Sequence, residues 1–481
     1  MYPRGSNQGI QLFSSVTISY RTAGSAAFFI AVALFYAPLA YGCTRPEMLP
    51  TLFVLLALAI ITGLISFATT PRRPAIPRLP LACVAALLLQ GWWITWNPVY
   101  PALVSGDEGV MNLDNIRSLS FNSMSITSFL LAAFVVLCGL FSHANLRRYI
   151  LMAVAFSGAL VSVIGIALKL GGEPLMRLVW KPADIDWNDF ALYRYHGNAG
   201  AFLNLAWPLI LVFTRRAYTQ TGSYLRKIIW TLCSTACATA LFLNASKAAL
   251  VIGLLILPWP FVTRLKRLKG KSMVLLAVGT ALLVAGLSIL SSMLAQDAAF
   301  QRMTSEADFS SSANGRIEAY QQYADAVPAV GFFGLGPGLF KIAFPYQMSS
   351  LRDVGNPDVH DYAHEDYLQT ALEWGWLGAF WWFLLIAGGL YRAIKSYSRR
   401  ELFTSKTEHR LVLAAILGVA GTLTQALIDF PLQVTSIRLF FFVLLAFCWA
   451  SPKLLATPPK KHSHRKHFRL PIPSDELLKT R

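Results

Sequence analysis

The strongest constraint on the fold of this chain is the recurrence of apolar runs of about 20 residues along most of its length. A run of that length is what an α-helix needs to cross the hydrocarbon core of a bilayer. Hydrophobic residues make up 55% of the 481 residues and charged residues only 14%, so the runs are too many for the core of a soluble protein. The sequence therefore predicts an all-α, polytopic transmembrane protein embedded in a lipid bilayer.

The apolar runs divide into about twelve predicted spans. They are residues 23–41, 49–69, 79–96, 126–141, 149–170, 199–213, 228–243, 248–263, 273–293, 376–391, 411–428 and 433–450. The chain then consists of an N-terminal segment (1–22), spans 1–9 (23–293), one large loop before span 10 (294–375), spans 10–12 (376–450) and a basic tail (451–481).

Basic residues predict how the spans are oriented. They cluster in every second connection, for example at Arg72 and Arg73 and between Arg264 and Lys271. Because basic loops stay on the cytoplasmic side, both termini are predicted to be cytoplasmic and the large loop external. The basic run from Lys460 to Arg469 is then a membrane-adjacent tail that contacts anionic lipid, and we predict no nucleic-acid partner and no metal site there.

The end of the external loop carries the most reactive stretch of the sequence, HDYAHEDYLQTALEWGWLG at residues 360–378. Its pattern predicts a helix that contains His364, with Asp361 as the N-cap and the following carboxylates in a first turn that favours negative charge. A histidine side chain ordinarily titrates near pH ~6.5, so a neutral imidazole is available there as a proton acceptor. The stretch therefore indicates a catalytic loop.

Within this loop, the candidate general base is His364. Glu365 or Asp366 would orient the imidazole or raise its basicity, and Tyr367 and His360 would line the site. A solvated histidine at the membrane interface, beside an aromatic anchor, would explain the same pattern without catalysis.

Twelve lysines and arginines oppose the predicted orientation, because they fall on the external side or at span edges. They are Arg45, Arg117, Lys169, Arg177, Lys181, Arg194, Lys247, Arg302, Arg316, Lys341, Arg352 and Arg438. Such cations need another reason to be there, and an anionic headgroup such as a diphosphate is a natural ligand for them. Arg194, Lys247 and Arg316 are the best placed, since each lies near the outer interface. Snorkelling to lipid phosphates is the alternative explanation for each.

Four segments together resemble the O-antigen ligase and polymerase family of bacterial membrane glycosyltransferases. HEDYLQTALEWGWLG resembles the histidine motif at the end of that family's largest periplasmic loop, and GRIEAYQQYADAVPAVGFFGLGPGLF resembles its arginine-led helix and glycine-proline-glycine turn. NASKAAL resembles a Ser-Arg-Gly motif in which Lys247 takes the arginine position and Ala248 the glycine position. YRYHGNAGAFLNLAWPL, which contains Arg194 and His196, resembles the segment before the central span. The resemblance covers roughly residues 190–430.

The resemblance implies that glycan is moved from an undecaprenyl diphosphate carrier to an acceptor hydroxyl on the periplasmic side of the inner membrane, without metal or other cofactor. It assigns His364 as the base and Arg194, Arg316 and, with a changed residue type, Lys247 as diphosphate ligands. His196 would line the same site. The acceptor would be another glycan, a lipid-A core or a protein, so the family implies either a ligase or a polymerase of O-antigen or exopolysaccharide.

Two other classes of protein would also fit a basic, multi-span chain. A transporter or flippase for an anionic lipid-linked substrate would carry charges along a pathway inside the spans, whereas these spans are nearly free of ionisable residues. A non-catalytic scaffold of envelope assembly would need neither a base nor a cation cluster. The concentration of reactive groups on one side favours an enzyme.

Overall fold

A computed structural model describes residues 6–70, 76–98, 113–181, 189–220, 223–256, 317, 319–328, 330–342 and 362–455. Their regular secondary structure is helical, and the only β-structure among them is two isolated bridges. The long helices are α1 (Ser6–Leu39), α2 (Leu49–Thr69), α3 (Arg78–Trp96), α4 (Leu113–Leu140), α5 (Ala144–Met176), α6 (His196–Thr219), α7 (Tyr224–Leu243), α8 (Lys247–Ile256), α9 (Asp366–Tyr397), α10 (Lys406–Gln425) and α11 (Thr435–Ala450).

Eight of the described helices, all except α7, α8 and α10, are long and apolar enough to cross a membrane. Helices α7 and α10 form where spans 228–243 and 411–428 were predicted, but each starts with charged residues. Span 273–293 lies outside the described residues, so the count of twelve stays a prediction. The prediction of an all-helical protein with many membrane-spanning helices is confirmed without that exact count. Helix α1 extends further toward the N-terminus than predicted, since it begins at Ser6.

The central helices of the bundle are α6 and α11. In their most apolar windows 89% and 83% of the residues are buried, against 22% in α2 and in α9. A helix that is buried on all sides must pack against helices everywhere, whereas α2 and α9 turn large apolar side chains outward, as lipid-facing helices do. The first turns of α6 and α11 are therefore fixed by the core of the bundle.

The end of the bundle where α4 meets α5 is held by a buried ion pair. Arg147 Nε lies 3.0 Å from Glu408 Oε2, and these side chains are only 6% and 2% exposed. Arg148 Nε lies 3.4 Å from the other oxygen of Glu408, and Arg147 Nη1 also donates to the carbonyl of Phe141 at 2.7 Å. This carboxylate therefore ties the start of α10 to the start of α5.

We expect Glu408→Ala to lower the free energy of unfolding by about 3–5 kcal/mol, because Arg147 would stay buried without its counter-charge. Thermal unfolding of the purified protein in detergent measures the loss. Glu401→Ala is the matched control, since Glu401 is an exposed carboxylate at the same end of the bundle. An equal shift for both variants would show that the buried pair has no special role.

The glycine-rich segment 331–340 is folded against a kink in α9. Gly375 has non-helical angles (φ 61°, ψ −174°), and beside it the amides of Leu335 and Gly336 donate to the carbonyls of Leu372 and Glu373, each at 2.9 Å. A Cβ on Gly334 would lie 2.3 Å from the backbone nitrogen of Gly375, so only glycine allows this approach. The tight turn predicted here is present, and it packs against the kink of α9 at Gly375, after the first turns of the helix.

Candidate active site

The structure places His364 just before a helix and not within one. Helix α9 begins at Asp366, and its N-cap is Glu365, whose carboxylate accepts a hydrogen bond from the amide of Leu368. The prediction of a helix around His364 capped by Asp361 is therefore wrong, since a carboxylate already caps the helix at 365. Burial raises the pKa of the Glu365 carboxyl, although the backbone amides that it caps oppose that shift.

The backbone of His364 adopts a left-handed conformation with φ 52°, which is uncommon for a residue other than glycine. Its carbonyl accepts a hydrogen bond from the Tyr320 hydroxyl at 2.6 Å. On either side of it, the amide of Ala363 donates to Gln369 Oε1 at 3.1 Å and the amide of Asp366 donates to the carbonyl of Ala426 at 2.9 Å. These contacts hold the strained turn in place, and such strain is concentrated at functional sites.

A carboxylate from another part of the chain faces the imidazole. His364 Nδ1 lies 3.8 Å from Asp429 Oδ1, and the Asp429 side chain is only 6% exposed. Asp429 Oδ1 also accepts from the amide of Phe430 at 3.0 Å, and Gln425 Nε2 lies 3.4 Å from Oδ2. The separation of 3.8 Å exceeds a hydrogen bond by less than 1 Å, and catalytic hydrogen bonds often shorten only when substrate binds.

The start of α6 fits closely around this pair. A Cβ on Gly197 would lie 2.2 Å from Asp429 Oδ2 and 2.4 Å from Cε1 of Tyr195, so a side chain at 197 would displace both. Gln425 Nε2 donates to the carbonyl of Gly197 at 2.7 Å. The glycine in the sequence YRYHGNAG therefore allows α6 to approach Asp429.

Three aromatic rings, Tyr195, Phe430 and Tyr362, form what we call the ring stack. Phe430 lies between the other two, with its centroid 5.4 Å from Tyr195 and 4.5 Å from Tyr362 and interplanar angles of 13° and 12°. The imidazole of His364 forms T-shaped contacts with Phe430 and Tyr195, with ring centroids 4.7 and 5.9 Å apart. The ring stack thus limits the rotation of His364, whose side chain is still 25% exposed.

The other polar residues of the predicted loop mainly hold the backbone. Asp366 accepts from the amide of Leu432 and from Gln433 Nε2, each at 2.8 Å, so it joins α9 to the segment before α11. Tyr367 donates its hydroxyl to the carbonyl of Leu423 at 2.8 Å. The carboxylate that faces the imidazole is therefore Asp429, and not the predicted Glu365 or Asp366.

The predicted cations are placed unequally with respect to His364. Arg194 is exposed and immediately precedes Tyr195, and His196 opens α6 with its ring 4.8 Å from that of Tyr195. Lys247 is half-buried at the start of α8, where the turn before it packs against Gly200, one turn into α6. The structure thus places His196 against the ring stack, Arg194 next to Tyr195 along the chain, and Lys247 at the same end of α6. Arg316 and His360 lie outside the described residues.

Three of the other cations on the predicted outer side have protein partners. The guanidinium of Arg45 lies 4.0 Å from the ring centroid of Tyr41 and 5.4 Å from that of Trp180. Arg177 pairs with Glu173 one turn earlier on α5. Arg438 Nη1 lies 3.3 Å from Thr127 Oγ1, and its Nη2 lies 3.4 Å from the carbonyl of Gln433. Packing within the protein therefore accounts for these three, and a substrate anion is not required to explain them.

A protein-family model described as O-antigen ligase matches residues 232–383. This segment, which we call the O-antigen ligase segment, is similar to the O-antigen ligase family. The match supports glycosyltransferase activity of the O-antigen ligase or polymerase type in general, and the resemblance seen in the sequence motifs is thereby confirmed. The O-antigen ligase segment contains Lys247, Arg316 and His364, whereas Arg194, His196 and Asp429 lie outside it. A search of curated proteins found none that matches the chain.

Sequence reasoning missed Asp429 and the ring stack. A signal was present, because LIDFPLQ at residues 427–433 puts a carboxylate and a proline at the end of an apolar run. A carboxylate in such a place is costly unless it has a partner or a function. Its position relative to His364 depends on how α9 and α10 pack, which a single sequence does not reveal.

Proposed function

We propose that the protein is an inverting membrane glycosyltransferase, either a ligase or a polymerase of O-antigen or exopolysaccharide. It would take glycan from an undecaprenyl diphosphate carrier and transfer it to an acceptor hydroxyl at the periplasmic face of the inner membrane. The observation that carries this proposal is the His364–Asp429 pair, which lies at one end of the bundle in and beside the O-antigen ligase segment.

In the proposed step, the acceptor hydroxyl oxygen attacks the anomeric carbon from the side opposite the diphosphate. A new glycosidic bond forms as the bond to the leaving diphosphate oxygen breaks, and the diphosphate leaves with the electron pair. The hydroxyl proton passes to His364, and since Nδ1 faces Asp429, Nε2 is the nitrogen that accepts it. Asp429 then stabilises the positive charge that the imidazole gains.

Fixed cations assist the departure of the diphosphate. Negative charge develops on the leaving group as the bond breaks, so guanidinium groups at a membrane boundary stabilise the transition state more than the ground state. Arg194 is supported in this role by its exposure next to Tyr195, whose ring contacts His364. Arg316 and Lys247 are proposed as further diphosphate ligands, and both belong to the O-antigen ligase segment. Glu365, Asp366, Tyr367, His360 and His196 remain proposed site-lining residues.

Purified protein supplied with lipid-linked glycan and acceptor tests the proposal directly. We expect new glycosidic bonds and released undecaprenyl diphosphate in the presence of a chelator and without added metal. Movement of the lipid-linked glycan across a vesicle membrane without bond formation would instead indicate a flippase. Surface-glycan profiling after gene deletion separates the two enzyme types, because a missing polymerase leaves single repeats attached and a missing ligase leaves polymer on its carrier.

We expect Arg194→Ala and Arg316→Ala each to reduce transfer at least about tenfold, since a hydrogen bond to a charged group contributes about 1.5–3 kcal/mol. Lysine at either position should restore activity only in part, because it cannot bind phosphate through two parallel hydrogen bonds. Initial rates at several donor concentrations measure the effect. Arg177→Ala is the matched control, since Arg177 already pairs with Glu173. Full activity of both alanine variants would rule out the cation cluster.

A further inference from the structure

At the opposite end of the bundle from His364, a cavity of about 390 Å³ lies between the end of α9 and the start of α10. Its lining consists of Arg400, Glu401, Phe403, Ser405, Lys406, His409 and Arg410. The cations among these residues outnumber the single carboxylate by three to one, even with the histidine counted as neutral. A cavity with this charge excess is suited to an anion.

Two of the cations, Arg400 and Lys406, form no ion pair within the described part of the chain. Neither Arg400 nor Lys406 has a carboxylate within 4.0 Å there, and Glu401 forms no ion pair with them. Glu408, the carboxylate in the first turn of α10, already pairs with Arg147 and Arg148. The positive charge of Arg400 and Lys406 is therefore available to a ligand.

The backbone adds to this positive character. Helix α10 begins at Lys406, and its N-cap Ser405 accepts a hydrogen bond from the amide of Glu408 at 3.1 Å. The positive end of the 20-residue helix therefore opens at the cavity, and a helix N-terminus beside basic side chains favours phosphate.

The lining of the cavity includes aromatic rings, those of Phe403 and His409. The ring of His409 stacks on Tyr397 at 4.2 Å with an interplanar angle of 10°, and Phe403 meets it edge-on at 4.9 Å. His409 Nε2 lies 2.9 Å from the carbonyl of Tyr397, so this nitrogen carries the hydrogen. One turn before Tyr397, the side chain of Ile394 is 54% exposed on the outer surface of α9. An apolar, lipid-facing surface therefore adjoins the basic cavity.

We propose that this cavity binds the phosphate of an anionic phospholipid, with Arg400, Lys406 and Arg410 as its ligands and the acyl chains lying along α9 at Ile394. The orientation predicted from basic residues puts this end on the cytoplasmic side, where a membrane surface supplies anionic headgroups. Basic pockets between helices on that side are suited to such headgroups. The site is separate from the proposed glycosyl transfer and does not depend on it.

The test measures lipid binding to the full-length protein in detergent by native mass spectrometry and by thermal unfolding. Phosphatidylglycerol should remain bound and raise the unfolding temperature, whereas phosphatidylcholine should do neither. We expect Arg400→Gln with Lys406→Gln to weaken phosphatidylglycerol binding at least about tenfold. Arg410→Gln is a second variant, which changes only a side chain of α10 in the cavity lining and should also weaken binding.

The matched control is Arg226→Gln with Lys227→Gln, which removes the same charge from the start of α7 at this end of the bundle but outside the cavity. Equal losses in this control would show that only general surface charge matters and would overturn the proposal. Unchanged binding in both cavity variants would also overturn it. The last measurement uses inorganic phosphate. If phosphate alone raised the unfolding temperature as much as phosphatidylglycerol does, the cavity would be a simple anion site and not a lipid site.

Discussion

His364→Ala should reduce turnover by about 10²- to 10⁴-fold, because the loss of a general base typically costs that much in rate. Donor binding should change far less, since the imidazole acts on the acceptor proton and not on the diphosphate. In the wild-type enzyme, turnover at saturating donor should fall toward acidic pH, because a protonated imidazole cannot accept a proton. The measurement is a pH profile of turnover with chelator present.

Two comparisons separate loss of the base from damage to the loop. Removing the His364 side chain leaves a space next to Asp429 and the ring stack. If that space persists, added imidazole should restore part of the turnover of His364→Ala, and if the turn has collapsed it should have no effect. His143→Ala is the matched control, since His143 lies in the turn before α5 at the other end of the bundle. The mechanism would be contradicted if an active His364→Ala enzyme showed the same fall in turnover toward acidic pH as the wild type. A strict metal requirement would also contradict it.

The fold was predictable where it follows from local periodicity and composition. The apolar runs from Leu49 to Thr69 and from Arg78 to Trp96 became single helices because a span must satisfy its backbone hydrogen bonds internally. The start of α9 was harder to predict, since Asp361 and Glu365 are both acceptable N-caps by residue type. Glu365 is the N-cap in the structure because Tyr320 and Ala426 hold the backbone of His364 and Asp366 on either side of it, and its carboxylate accepts from the amide of Leu368.

The roles of buried polar residues were the least predictable part of the site. The buried carboxylate of Glu373 accepts from the amide of Gly338 at 3.0 Å and from Gln369 Nε2 at 3.1 Å. Arg438 resembles a substrate-binding cation in the sequence, yet it contacts Thr127 and Gln433. Gln369 lies four residues before Glu373 on α9, a spacing that the sequence shows. Gly338 and Thr127 lie far from their partners in the sequence, so local spacing carries no information about those two contacts.

Asp429→Asn should lower turnover by about 10- to 100-fold with little change in donor affinity. A carboxylate can orient a catalytic histidine and stabilise its positive charge through a direct hydrogen bond. Where it does so, replacing the carboxylate by an amide lowers turnover ~10⁴-fold. The 3.8 Å separation leads us to expect a smaller loss here. Asparagine keeps the shape and can still accept from the amide of Phe430, so the fold should persist. Turnover and donor affinity measured separately at saturating acceptor give the result.

The decisive version of this experiment combines Asp429→Asn with His364→Ala. If Asp429 acts through His364, the double variant should be no slower than His364→Ala alone, since a carboxylate has nothing to orient once the imidazole is gone. If Asp429 only supports the backbone around Gly197 and Phe430, its loss should multiply with that of the histidine. Multiplicative losses would therefore show that Asp429 and His364 do not act as one catalytic unit, and His364 would remain the proposed base.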